Sequence, residues 1–129
     1  MYVYRYNDPV SSLPLSPLPV RTKGCCQPVA PTLAPAEAAG LARIFRALDD
    51  PTRVRMVRVL AEASAPVCVC DFTATFELSQ PTVSHHLARL RAAGLVTSSR
   101  RGLWAFYELD PTMTAAARAA VELVRSASG

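Results

Sequence analysis

Ser79-Gln80-Pro81-Thr82-Val83-Ser84-His85-His86-Leu87 is the stretch whose reading decides the fold. Serine is a good helix N-cap, and proline is tolerated in a first turn, where its missing N–H has no intrahelical partner to lose. Val83, Leu87 and Leu90 recur at helical spacing and predict a buried stripe. At about 100° per residue, His85 lies about 200° from Val83, beside Pro81, Ala88 and Arg89. The outward face is therefore small or basic near its start. Gly94 supplies the stop, since glycine accepts the left-handed conformation common just past a helix end.

Upstream, a short helix over roughly Val69 to Phe76 is predicted, with Phe72 and Phe76 anchoring it. Glu77-Leu78 is then the turn of a helix-turn-helix. Further back, Pro35 opens a helix with the stripe Leu41, Ile44, Phe45 and Leu48, ending near Asp49. Asp50-Pro51 pairs an acidic N-cap with proline at the first helical position and starts a second helix. Its stripe is Val54, Val57, Leu60 and Ala61, and Ala65-Pro66 breaks it.

Downstream, Val96 to Ser98 and Leu103 to Leu109 read as strands, the second by strict alternation. Ser99-Arg100-Arg101-Gly102 joins them, which puts two arginines at a hairpin tip. Asp110-Pro111 repeats the cap-plus-proline signal and predicts a last helix through about Arg125. Its large apolar groups are few, so it is expected to pack against a partner. The fold class is thus mostly α with a β-hairpin wing, a winged helix-turn-helix of order α-α-α-α-β-β-α. The domain is expected over residues 35–128. Residues 1–34 carry six of the eleven prolines and are expected to form a flexible, extended arm.

The length of 129 residues suits one domain. The formal charge is +4, and the window Ser79 to Tyr107 holds four arginines and no acid, matching the net charge of the whole chain. Such a local excess is the footprint an anionic polymer would recognise. A recognition helix puts the residues of its N-terminal turns on base edges in the major groove. Gln80 can pair bidentately with adenine, and Ser79, Thr82, Val83, Ser84 and His85 share those turns. Arg89, Arg100 and Arg101 can meet phosphate or a minor groove. These nine residues are the candidate DNA contacts. No nucleophile–base–acid set and no glycine-rich phosphate loop is present, so an enzyme is not expected. No run of about eighteen apolar residues could span a membrane. The N-terminus lacks the pattern of a secretory signal, so a cytoplasmic location is the default.

The four cysteines are then expected as thiols. Cys68 and Cys70, two apart, would diverge by about 200° on a regular helix. Either the helix starts after Cys68, or it unwinds, or only one of the two ligates. A thiolate here, near a helix N-terminus, is expected to have a lowered pKa.

Leu78 to Leu87, then Leu90, Ala93-Gly94-Leu95-Val96, Arg101-Gly102 and Trp104 before Phe106-Tyr107, closely resemble the ArsR/SmtB family of metal-sensing repressors. Cys68-Val69-Cys70-Asp71 is similar to its arsenic-responsive branch. The resemblance spans roughly Leu41 to Leu109. It implies a homodimer, joined through first and last helices, that binds operator DNA when ligand-free and leaves it when metal or metalloid binds. Thr73 stands where some arsenic sensors carry a third cysteine. The resemblance therefore implies that Cys25-Cys26 of one subunit's arm complete the site on the other's helix three. The implied ligand set is Cys25, Cys26 and one or both of Cys68 and Cys70, with Cys68 preferred. The inducer is then trivalent arsenic (arsenite) or antimonite. Methylated arsenicals need two thiols and stay open. Cadmium or lead in an S4 site, and a thiol-redox switch, are the alternatives. The last helix has no histidine, so the family's second metal site is not expected there.

Overall fold

The computed structural model describes residues 26–128. The expectations for Cys25 and for the rest of the arm up to it lie outside the described residues. Residues 26–31 carry no helix or strand and are exposed. The fold described below is that of residues 32–128.

The order is α1 (Pro35–Ala47), α2 (Pro51–Glu62), β1 (Val67–Cys68), α3 (Val69–Phe76), α4 (Gln80–Ala92), β2 (Val96–Arg101), β3 (Trp104–Leu109) and α5 (Ala115–Ser126). Five helices and an antiparallel sheet form a winged helix-turn-helix, as the sequence predicts. The addition is β1, which pairs with β3 through Val67–Tyr107 and Cys68–Phe106 and makes the sheet order β1-β3-β2.

The caps are where the sequence puts them. The Asp50 carboxylate accepts the Arg53 N–H at 3.1 Å, and the Ser79 hydroxyl accepts that of Thr82 at 3.4 Å. Each satisfies an N–H left without a partner in the first helical turn. Between α3 and α4, Glu77 takes the left-handed conformation with φ 54°. The core joins Val57 and Leu60 of α2, Phe72 of α3, and Val83, Leu87 and Leu90 of α4. Each such side chain contributes about 1.5–3 kcal/mol when fully buried.

Four expectations need correction. In α1, Ile44 and Ala47 face the core, while Phe45 is 64% exposed. Phe45 sits about 100° round the helix from Ile44, and the small Ala47 lets the helix lie close on that side. In the wing, the connection is not Ser99 to Gly102 but Gly102-Leu103. Arg100 and Arg101 are strand residues paired with Ala105 and Trp104. A two-residue turn needs positive φ, and Gly102 supplies it at 63°. The last helix starts at Ala115, capped by Thr114, because Asp110 is used in a local turn where its carboxylate accepts the Thr112 N–H at 2.8 Å.

Finally, α5 packs within its own chain: Ala117, Val121 and Val124 are buried, and the helix lies against α2. The two helices also cap each other. Arg58 donates to the carbonyls of Val124 at 3.0 Å and Ala127 at 2.6 Å. Arg125 donates to that of Ala61 at 3.0 Å. Each guanidinium thus meets the electron-rich end of the other helix.

Candidate thiol site and nucleic-acid interface

Cys68 has two structural roles. Its backbone is extended, φ −70° and ψ 148°, and it is both the last residue of β1 and the N-cap of α3. The Asp71 carboxylate accepts its N–H at 3.2 Å, which holds the first turn against the strand. Helical geometry therefore begins after Cys68, and the divergence of about 200° that a continuous helix would impose does not occur. The Cys70 Sγ lies 2.8 Å from the Cys68 Sγ. Cys68 is buried, Cys70 is exposed, and both are free thiols.

The lowered pKa expected from the helix N-terminus is not found at Cys70. Its pKa is raised, first by the hydrogen bond to Cys68, then by desolvation and by the neighbouring charges of Cys68 and Asp71. The thiol contact and the Asp71 carboxylate, with Sγ to Oδ1 at 4.0 Å, outweigh the dipole of a two-turn helix. Thr73 donates its hydroxyl to the Cys70 carbonyl at 2.8 Å, so it is engaged in the helix backbone. Cys26 is exposed in the stretch before α1. No group of three or more His, Cys, Asp or Glu residues able to hold a metal occurs among the described residues.

The outward face of α4 carries Ser79, Gln80, Thr82, His85 and Arg89, all exposed, with Ser84 half-buried. Val83 must leave the set of candidate DNA contacts, since it is fully buried in the core. Arg89 Nε donates to His85 Nε2 at 3.3 Å, and the hydroxyls of Ser79 and Thr82 lie 2.9 Å apart. Arg100 and Arg101 are exposed on β2, where Arg101 lies over the Phe106 ring, 5.4 Å from its centroid. Their place on a strand rather than in the turn sets them back from the wing tip, which is Leu103, 93% exposed.

The sequence reading missed the space between these parts. A cleft of about 570 Å³ is lined by Cys68 and Cys70, by Gln80 and Ser84 of α4, and by Arg100 and Trp104 of the wing. Pairing of β1 with β3 creates it, and no sequence period announces a two-residue strand.

The family profile described as "Bacterial regulatory protein, arsR family" matches residues 50–98. The "Arsenic resistance transcriptional regulator ArsR1" of Pseudomonas putida is 46% identical over 68 residues, 53% of this chain and 52% of that protein. The chain thus spans about half the length of that relative. The "Putative arsenical resistance operon repressor ArsR2" of Halobacterium salinarum is 42% identical over 90 residues, 70% of this chain and 73% of that protein. Among solved structures, the "AntR antimony-specific transcriptional repressor" aligns with a TM-score of 0.59 and 26% identity, covering 73% of this chain and 81% of that one.

Proposed function

The chain belongs to the arsR family of bacterial regulatory proteins, and from that premise we propose that it is a metalloid-responsive transcriptional repressor. The free protein binds operator DNA as a symmetric dimer through α4 and the wing. Trivalent arsenic or antimony, held by thiolates, releases it. The observation that carries this reading is the contact of the Cys68 and Cys70 Sγ atoms at 2.8 Å, at the junction of wing strand and helix-turn-helix. Two soft donors side by side suit a thiophilic ion.

A trigonal site needs a third sulfur, and Cys25-Cys26 of the N-terminal arm, residues 1–34, supplies it from the other subunit. Cys68 is the preferred donor from the α3 side. The arm works as a tether, and residues 35–128 work as the DNA-binding and dimerisation domain. Phe45 on α1 and Leu123 on α5 are 64% and 73% exposed, and a second copy would bury them. Ser79, Gln80, Thr82, Ser84, His85, Arg89, Arg100 and Arg101 form the DNA face.

Ligation at Cys68 pulls on β1 and on the cap of α3 together. Helix three is the first half of the helix-turn-helix, so its displacement moves α4 against the wing and spoils the groove spacing. Coupling between two sites is typically about 1–3 kcal/mol, enough to empty an operator. Among the described residues no helix is long and apolar enough to cross a membrane, and a cytoplasmic regulator fits that.

The test is fluorescence anisotropy of a DNA site selected by the free protein from a random pool. Arsenite or antimonite under reductant is expected to release the DNA. Unchanged affinity would overturn the reading. The same Sγ contact favours one second reading, a thiol-redox repressor in which Cys68 and Cys70 oxidise together. In that case oxidant releases DNA and arsenite under reductant does not.

A further inference from the structure

Trivalent arsenic makes three bonds, and the α3 side offers two sulfurs. The next polar side chain on that helix, Thr73, is bound to the Cys70 carbonyl. A two-sulfur site suits an arsenic that brings its own third substituent through carbon. Beside the two thiols lies the cleft of about 570 Å³, within the size range of small-molecule sites. One wall is apolar and aromatic, with Val69, Trp104 and Tyr107. The opposite wall carries Gln80, Ser84 and Arg100.

We infer that this cleft seats the organic group of a monosubstituted trivalent arsenical whose arsenic is held by Cys68 and Cys70. The inference rests on the repressor reading above and extends its inducer class. The exchange leaves oxidation states unchanged. Two As–O bonds of the arsonous acid break, two As–S bonds form, and each departing hydroxide leaves as water with one thiol proton. The carbon substituent stays on arsenic and lies against Trp104. It also lies against Gln80, Ser84 and Arg100, the groups assigned to DNA. Inducer and DNA then compete for the same side chains within one subunit, and the thiols of the arm are not required.

The test uses the full-length chain with Cys25→Ser and Cys26→Ser together, and phenylarsine oxide and arsenite as probes. Phenylarsine oxide is expected to add once per chain by mass and to quench Trp104, the only tryptophan in the sequence. It should release DNA at concentrations about tenfold below arsenite, a gain of the size one aromatic contact gives. In the same background Trp104→Ala should weaken phenylarsine oxide about tenfold and arsenite less than about twofold, since only the phenyl group loses its contact. Equal potency of the two probes, or an equal loss of both on Trp104→Ala, overturns the inference. If wild-type protein still answers arsenite in that case, the repressor reading stands and only the cleft assignment falls. If no trivalent arsenical releases DNA from wild type, the repressor reading falls too.

Discussion

Arg53 Nη1 lies 3.3 Å from Nδ1 of His86, joining the first turn of α2 to the recognition helix. A guanidinium can only donate, so the imidazole accepts there and is neutral in this contact. The same side chain donates to the carbonyls of Ala47 at 2.6 Å and Arg46 at 3.3 Å, at the end of α1. One arginine therefore holds three helices in register. Its side chain is only 11% exposed, so these bonds are shielded from water.

Arg53→Ala is expected to cost about 2 kcal/mol, because hydrogen bonds from a charged group are stronger than neutral ones and three carbonyl or ring acceptors lose their donor. Arg53→Lys should recover little, since an ammonium cannot span those acceptors. Urea midpoints measure both, and an unshifted midpoint for Arg53→Ala would contradict the role.

Asp50 shares this corner. Its carboxyl is held below the ordinary carboxylate range, mainly by the Arg53 N–H, with Thr52 and the positive charge of Arg53 adding to it and desolvation opposing. A depressed folded-state pKa adds stability above the unfolded value, and that stability is lost as pH falls through the folded one. Asp50→Asn, which keeps a capping oxygen, is therefore expected to flatten the loss of stability on acidification below about pH 4 while leaving neutral stability nearly unchanged. Parallel acid limbs for the two proteins in a thermal-melt series would refute this.

At the DNA face two substitutions should differ in kind. Gln80→Ala is expected to cost about 1–3 kcal/mol on the preferred site and to relax sequence preference, as loss of a base-edge contact does. Arg100→Ala should weaken all sequences alike and reduce the salt slope by about one. Binding measured across salt on selected and scrambled DNA separates them. Identical signatures would remove one of the two assignments.

Cys70 makes the inducer class testable by pH. Its thiol, raised by the contact with Cys68, keeps its proton at neutral pH. Cadmium must drive that proton into solution, so its affinity should climb steadily between about pH 6 and pH 8. Arsenite removes the proton as water, so its affinity should stay flat. Calorimetry in two buffers reads the proton release directly, and a flat cadmium profile would contradict the protonated thiol.

What the sequence made legible was whatever is written in local chemistry. Asp50 and Ser79 announce their helices because a cap is a one-residue signal, and the α3 and α4 limits follow from it. Gly102 was read as part of a longer connection because its need for positive φ does not say which neighbours complete the turn. Asp110-Pro111 carries a helix-start signal that a local turn consumed four residues early. β1 is too short to show alternation, and it exists only because β3 offers it an edge. That strand is also why Cys68 leaves the helix, so the distance between the two thiols could not be read from their spacing.

Cys68 divides its work between backbone and side chain. The main chain pairs with the wing and starts the helix, using dihedrals any residue can adopt, while only the sulfur addresses an inducer. Architecture and chemical taste are thus separable at one position. A change of donor atom there can retune what the protein detects while leaving the frame that reads DNA intact, which gives this fold a cheap route to new specificities.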